Sequence, residues 1–128
     1  MYRCGIIGLG FAGLVSPDSH YKAYRDCSDT QVDACCDSRG DVLLGNNLTG
    51  YLFANYRDMI KLRKLDIVSI CTPVETHCQI VCDIAPYVKV INCEKPIAST
   101  LEEADKMIET CYKYQVILQI NHQRRFSK

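Results

Sequence analysis

Neither sign of charge is in excess in this chain of 128 residues: 15 Lys and Arg balance 15 Asp and Glu, with no basic block and no charged tail. Nucleic acid and anionic membrane are therefore not electrostatically favoured partners, and a small, mostly neutral ligand fits better. No apolar stretch comes near the roughly 20 residues that a membrane helix needs. Met1-Tyr2-Arg3 runs straight into a strand-like segment without the pattern of a signal peptide, so a soluble, cytoplasmic protein is expected. Internal repeats, low-complexity tracts and an interdomain linker are also missing, and one domain over residues 1–128 is expected.

No C-x2-C pair occurs among the nine cysteines, a number that is high for so short a chain and odd. Cys4, Cys35, Cys71, Cys82 and Cys93 fall inside apolar runs, where a reduced thiol behaves as a small buried hydrophobe, so disulfides are not expected. A metal set would have to assemble Cys71, His77, Cys78 and Cys82. Their spacing gives it little support, and no metal is assigned.

What is present is an alternation of strand-like and helix-like segments. Strands are predicted at Tyr2–Ile7, Gln31–Cys36, Asp66–Cys71, Lys89–Cys93 and Val116–Ile120, with a weak one at Tyr51–Phe53. Runs such as Ile67-Val68-Ser69-Ile70-Cys71 are nearly continuous in apolar residues, as strands covered on both faces require. Leu101, Ala104, Met107, Ile108 and Cys111 recur at helical spacing behind a Thr100/Glu103 capping box. Two further helices are expected. One covers His77–Ala85, with Ile80, Val81 and Ile84 on one face, and the other covers Arg57–Lys64, with Met59, Ile60 and Leu62 inward. Between Arg39 and Gly50 the glycines allow a short helix at most. The alternation predicts an α/β fold with a doubly wound parallel sheet in the order 3-2-1-4-5-6, its ligands at the carboxyl ends of the strands.

The polar segments cluster at those ends. Gly8-Leu9-Gly10-Phe11-Ala12-Gly13 follows the first strand, where Gly8 permits the tight turn, Gly10 lets backbone approach a pyrophosphate and Gly13 lets the next helix pack closely. Phe11 and Ala12 complete that turn. Pro17 stands where the first helix would be running. Either the helix starts late, with Ser16 as its cap, or a loop intervenes. Asp37-Ser38-Arg39 ends the second strand, and the Asp37 carboxylate is expected to accept hydrogen bonds from the adenosine ribose, which favours NAD. Beside that carboxylate a 2′-phosphate would be repelled by on the order of 1 kcal/mol or more. Arg39 leaves NADP open because it can neutralise such a phosphate, and it can equally be a solvated side chain or one stacked on adenine. Thr72-Pro73 ends the fourth strand and Glu94-Lys95-Pro96 the fifth. Lys95 there can polarise a substrate oxygen or relay a proton, or it can be a surface lysine paired with Glu94. Asn121 and Arg124 stand at the last strand's tip.

Together these segments resemble the Gfo/Idh/MocA oxidoreductases, a family of sugar and polyol dehydrogenases. The resemblance rests on the glycine turn, Asp37, Asp66–Pro73 with His77, Cys93-Glu94-Lys95-Pro96-Ile97-Ala98 and Asn121–Phe126. It implies a Rossmann cofactor domain in which Thr72, Pro73 and His77 lie along the dinucleotide and Glu94 and Lys95 lie near nicotinamide and substrate, often with a cis lysine–proline bond. A core role for His77 stays open. The family's second α/β domain, which supplies most of the substrate pocket, is expected to be absent from this chain. Hydride transfer to or from a sugar, polyol or related small molecule is thus one reading. The alternatives are a non-catalytic NAD(H)-binding or homo-oligomerising module, and a thiol- or metal-based function.

Overall fold

The computed structural model describes residues 1–126; residues 127 and 128 of the expected domain lie outside them. Six strands form one parallel sheet: β1 (Tyr2–Ile7), β2 (Thr30–Cys36), β3 (Tyr51–Phe53), β4 (Ile67–Ile70), β5 (Val90–Glu94) and β6 (Ile117–Asn121). They lie in the order β3-β2-β1-β4-β5-β6, the predicted doubly wound order. Adjacent residues of one strand face opposite sides, and each side has its own apolar cluster. Ile7, Val68, Ile70 and Ile91 join Met59, Ile84 and Met107 on one side. Ile6 and Cys35 join Leu9, Tyr21 and Leu43 on the other. This double burial is the reason the central strands read as continuous apolar runs.

The helices are α1 (His20–Asp26), α2 (Gly40–Leu44), α3 (Tyr56–Leu62), α4 (His77–Ile84) and α5 (Leu101–Lys113). α5 begins at its Thr100/Glu103 pair: Thr100 Oγ1 accepts the Glu103 N–H at 3.2 Å, while Glu103 Oε2 reaches one residue past the cap to accept the Ser99 N–H at 3.0 Å. Met107 and Cys111 then fall on the buried face. α4 buries Ile80, Val81 and Ile84 as expected, and Pro86 sits in the 3-10 turn that follows it. Leu62 departs from expectation, being 71% exposed. α3 ends at that residue, and Leu65, in the extended segment beyond, takes the core position instead.

At Pro17 the loop alternative holds. Phe11–Val15 forms a single wide turn of π-helical type, closed by the Ser16 N–H on the Phe11 carbonyl at 2.8 Å. α1 starts only at His20, and its cap is Ser19, which accepts the Lys22 N–H at 3.3 Å; Ser16 does not cap it. The Ser16 hydroxyl instead accepts the Asp18 N–H at 3.2 Å within the turn. Strands β5 and β6 end one residue later than predicted, because Glu94 and Asn121 still pair in the ladder. Both are therefore held by the sheet as well as by their side chains.

Candidate functional site

The chain turns sharply at Gly8, whose φ of +92° belongs to the left-handed region where a side chain is rarely accommodated. A Cβ on Gly13 would stand 2.0 Å from the Gly8 carbonyl oxygen, so the turn closes only with glycine there. Over Gly10 nothing lies within 4 Å of a notional Cβ, which leaves its backbone open to a ligand. These features match the three tasks that a pyrophosphate-binding turn assigns to its glycines.

On one side of the turn a cleft of about 790 Å³ runs past Gly8, Gly10, Asp37, Ser38, Arg39, Thr72 and Pro73. Asp37 is buried, and its carboxylate accepts four N–H groups: Leu9 at 2.8 Å, the Arg39 amide at 2.9 Å, and Arg39 Nε and Nη2 at 3.0 and 3.1 Å. Burial alone would raise its pKa, but these bonds and the guanidinium charge hold it below the usual carboxylate range. A carboxylate has about four lone-pair sites, and all are occupied. A further donor meets this carboxylate only if the Arg39 guanidinium, itself exposed, moves aside.

On the other side a second cleft, of about 540 Å³, is lined by Phe11, Ala12, Ser16, Glu94, Lys95 and Arg124. Lys95 is exposed, and among the described residues its ammonium has no hydrogen-bond or ion-pair partner. The dull alternative, a lysine paired with Glu94, is not what the structure shows. Glu94 is held by His20, whose Nε2 lies 2.8 Å from Oε1, and by the Asn121 amide. The Lys95–Pro96 bond is cis.

His77 is 1% exposed and sits beneath the cleft. Its Nε2 lies 2.9 Å from the Thr72 carbonyl and its Nδ1 lies 3.0 Å from the Pro96 carbonyl, so the ring ties the β4 tip to the β5 tip. The Asn121 amide donates to Glu94 Oε1, and Asn121 lines a small recess together with Lys95. Gly13 is buried inside the glycine turn, and the other named residues line the two clefts that flank it.

Several lining residues escaped the sequence reading. Ala54, Asn55, Tyr56 and Arg57 line the larger cleft from the tip of β3; the rule that ligands meet strand ends would have found them had that short strand been weighted more heavily. His20, Ser69 and Tyr24 form a buried polar network with Glu94. Its available signal was Ser69 and Asn92, polar residues at equivalent register positions in two apolar strands. The Asn92 side-chain oxygen is buried with no hydrogen-bond partner among the described residues.

An oxidoreductase family model with an NAD-binding Rossmann fold matches residues 2–122. The rhizopine catabolism protein MocA of Rhizobium meliloti is 39% identical over 129 aligned residues, covering 98% of this chain and 38% of that protein. Myo-inositol 2-dehydrogenase of Thermotoga maritima is 32% identical over 129 aligned residues, covering 98% of this chain and 37% of that enzyme. The crystal structure of the WlbA dehydrogenase of Bordetella pertussis, in complex with NADH and UDP-GlcNAcA, shares the fold with a TM-score of 0.88 at 23% identity, over 97% of this chain and 38% of that one. This chain thus spans less than two fifths of the length of each relative. A family match that runs from the first strand to the last strand's tip places the chain in the Gfo/Idh/MocA oxidoreductase family, where it corresponds to the NAD-binding Rossmann domain.

Proposed function

We propose that this domain holds NAD(H) along the edge formed by the strand tips and presents Lys95 to the hydroxyl or carbonyl group of a sugar, a polyol or a related small molecule. The observation that carries this reading is the position of an open glycine turn between a carboxylate cleft and a cleft lined by an ammonium that has no partner among the described residues. Backbone around Gly10, with Phe11, Ala12 and Gly13 setting the turn, would meet the pyrophosphate. Asp37, Ser38 and Arg39 would meet the adenosine, and Thr72 and Pro73 the central cleft. His77, Glu94, Asn121 and Arg124 would support the far end. When bound, the nicotinamide supplies the two-electron carrier of an alcohol–ketone interconversion. Lys95 contributes a fixed cation with three N–H donors, which stabilises negative charge developing on a substrate oxygen and can hand a proton to it. The similarity to a myo-inositol 2-dehydrogenase supports a polyhydroxylated substrate.

We favour NAD over NADP because a 2′-phosphate held beside the Asp37 carboxylate would be repelled. No helix among the described residues is long and apolar enough to cross a membrane, and all nine cysteines are free, which supports a reducing compartment such as the cytoplasm. The test is a fluorescence titration with NADH and NADPH. Wild type is expected to bind NADH saturably and NADPH about tenfold more weakly, a difference of roughly 1.4 kcal/mol. Asp37→Ala should weaken NADH about tenfold and erase the preference. Absence of saturable binding of either nucleotide overturns the reading.

A further inference from the structure

Lys95 projects from a strand tip that a buried histidine holds from behind. Glu94 keeps its pKa below the usual range because the His20 and Asn121 bonds outweigh the effect of its burial, so it is an ionised acceptor and His20 Nε2 must carry the hydrogen between them. In the neutral ring His20 Nδ1 is then the acceptor for the Ser69 hydroxyl at 2.8 Å, which leaves Ser69 Oγ to accept the Tyr24 hydroxyl at 2.7 Å. Burial pushes the Tyr24 phenol up to about 12, which keeps it a donor. Every bond in this row then points the same way, from α1 to β4, back to α1 at His20 and on to the end of β5. Asn121 adds its amide to the same Glu94 oxygen from β6.

We propose that His20 is a positioning residue for Lys95: its Nε2–H, aimed by Ser69 and Tyr24, fixes the Glu94 carboxylate and with it the backbone from which the ammonium reaches the cleft. The proposal rests on the reading of Lys95 given above, but its geometry exists without any nucleotide. It also gives the late start of α1 a purpose, since the turn at Pro17 delivers His20 beneath the β5 tip at the first position of that helix.

Two isosteric variants separate positioning from mere cementing of α1 to the sheet. His20→Gln presents an N–H where Nε2 stood and reaches Glu94; His20→Asn presents one only where Nδ1 stood. In 1H–15N spectra of the ligand-free chain, the Lys95 and Asn121 amide resonances should stay near wild type in the Gln variant and move in the Asn variant. With NADH, both variants should keep the dissociation constant within about twofold, while bound-nucleotide emission should shift only in the Asn variant. Equal displacement of Lys95 by Gln and Asn, or by neither, overturns the proposal. Should the Asn variant fail to fold, Ser69→Ala decides, because it removes the hydroxyl that aims the ring, and a Lys95 amide resonance that keeps its wild-type position there also overturns the proposal. Failure of wild type to bind NADH would instead sink the proposed function while leaving the ligand-free comparison intact.

Discussion

Arg39 shields the carboxylate that is proposed to read the ribose, and the two roles of that arginine can be separated. It is 57% exposed, so solvent screens its ion pair with Asp37 and the pair contributes little to stability. Arg39→Ala should leave the melting temperature nearly unchanged, leave NADH affinity equal or improved, and weaken NADPH about tenfold; titration of both nucleotides checks this. An arginine that serves only to lock Asp37 would give equal changes for the two. At Gly13 the effect is steric. An added methyl would press on the Gly8 carbonyl, backbone against backbone, so Gly13→Ala should cost on the order of 2 kcal/mol in a denaturant melt and abolish saturable NADH binding. Lys95 belongs to the opposite class, being exposed and without a partner among the described residues. Lys95→Ala should keep both fold and nucleotide affinity while abolishing any hydride transfer that the chain supports, and parallel loss of affinity and turnover would make the lysine structural.

Among the elements, β5 and α1 place the chemistry. Because Glu94 pairs with Asn121 in the ladder, Lys95 is the first residue beyond β5, and its backbone inherits the order of the sheet. α1 is short, seven residues, yet its first residue enters the buried network; the preceding turn sets where that residue falls. α5 shows how local signals and packing combine. Thr100 closes its first turn and Met107, fully buried, anchors its inner face. Thr100→Ala should therefore cost about 1 kcal/mol, whereas Met107→Ala should cost roughly 2–5 kcal/mol through the cavity it leaves. Chemical denaturation resolves the two, and equal costs would mean that α5 is not anchored through its core face.

For the molecule as a whole, acid is the condition to which the fold should be sensitive. Asp33, held by hydrogen bonds from Arg63 and Arg3, and Asp66, held by Lys89 and the Arg3 amide, both have depressed pKa values, as do Asp37 and Glu94. In each case the unfolded chain binds protons first, so the stabilisation is present above the ordinary carboxylate range and is lost as pH falls through the folded value. The melting temperature should be nearly flat from about pH 8 to 5 and drop below about pH 4. Asp33→Asn should make that drop shallower, and a melting temperature indifferent to acid would contradict these pairings. The sequence alone determined the strand order, the side of the sheet where polar segments gather, the glycine turn and the lysine tip, because burial on both faces writes continuous apolar runs and a tight turn admits little but glycine. The tertiary structure decided what the polar residues touch. His77 became a strut between two strand tips, Asp37 came occupied by Arg39, and His20 entered the site from a helix whose start Pro17 had obscured. Periodicity records which side of an element is buried, but a hydrogen bond between residues 74 positions apart, as between His20 and Glu94, exists only once the sheet has brought them together.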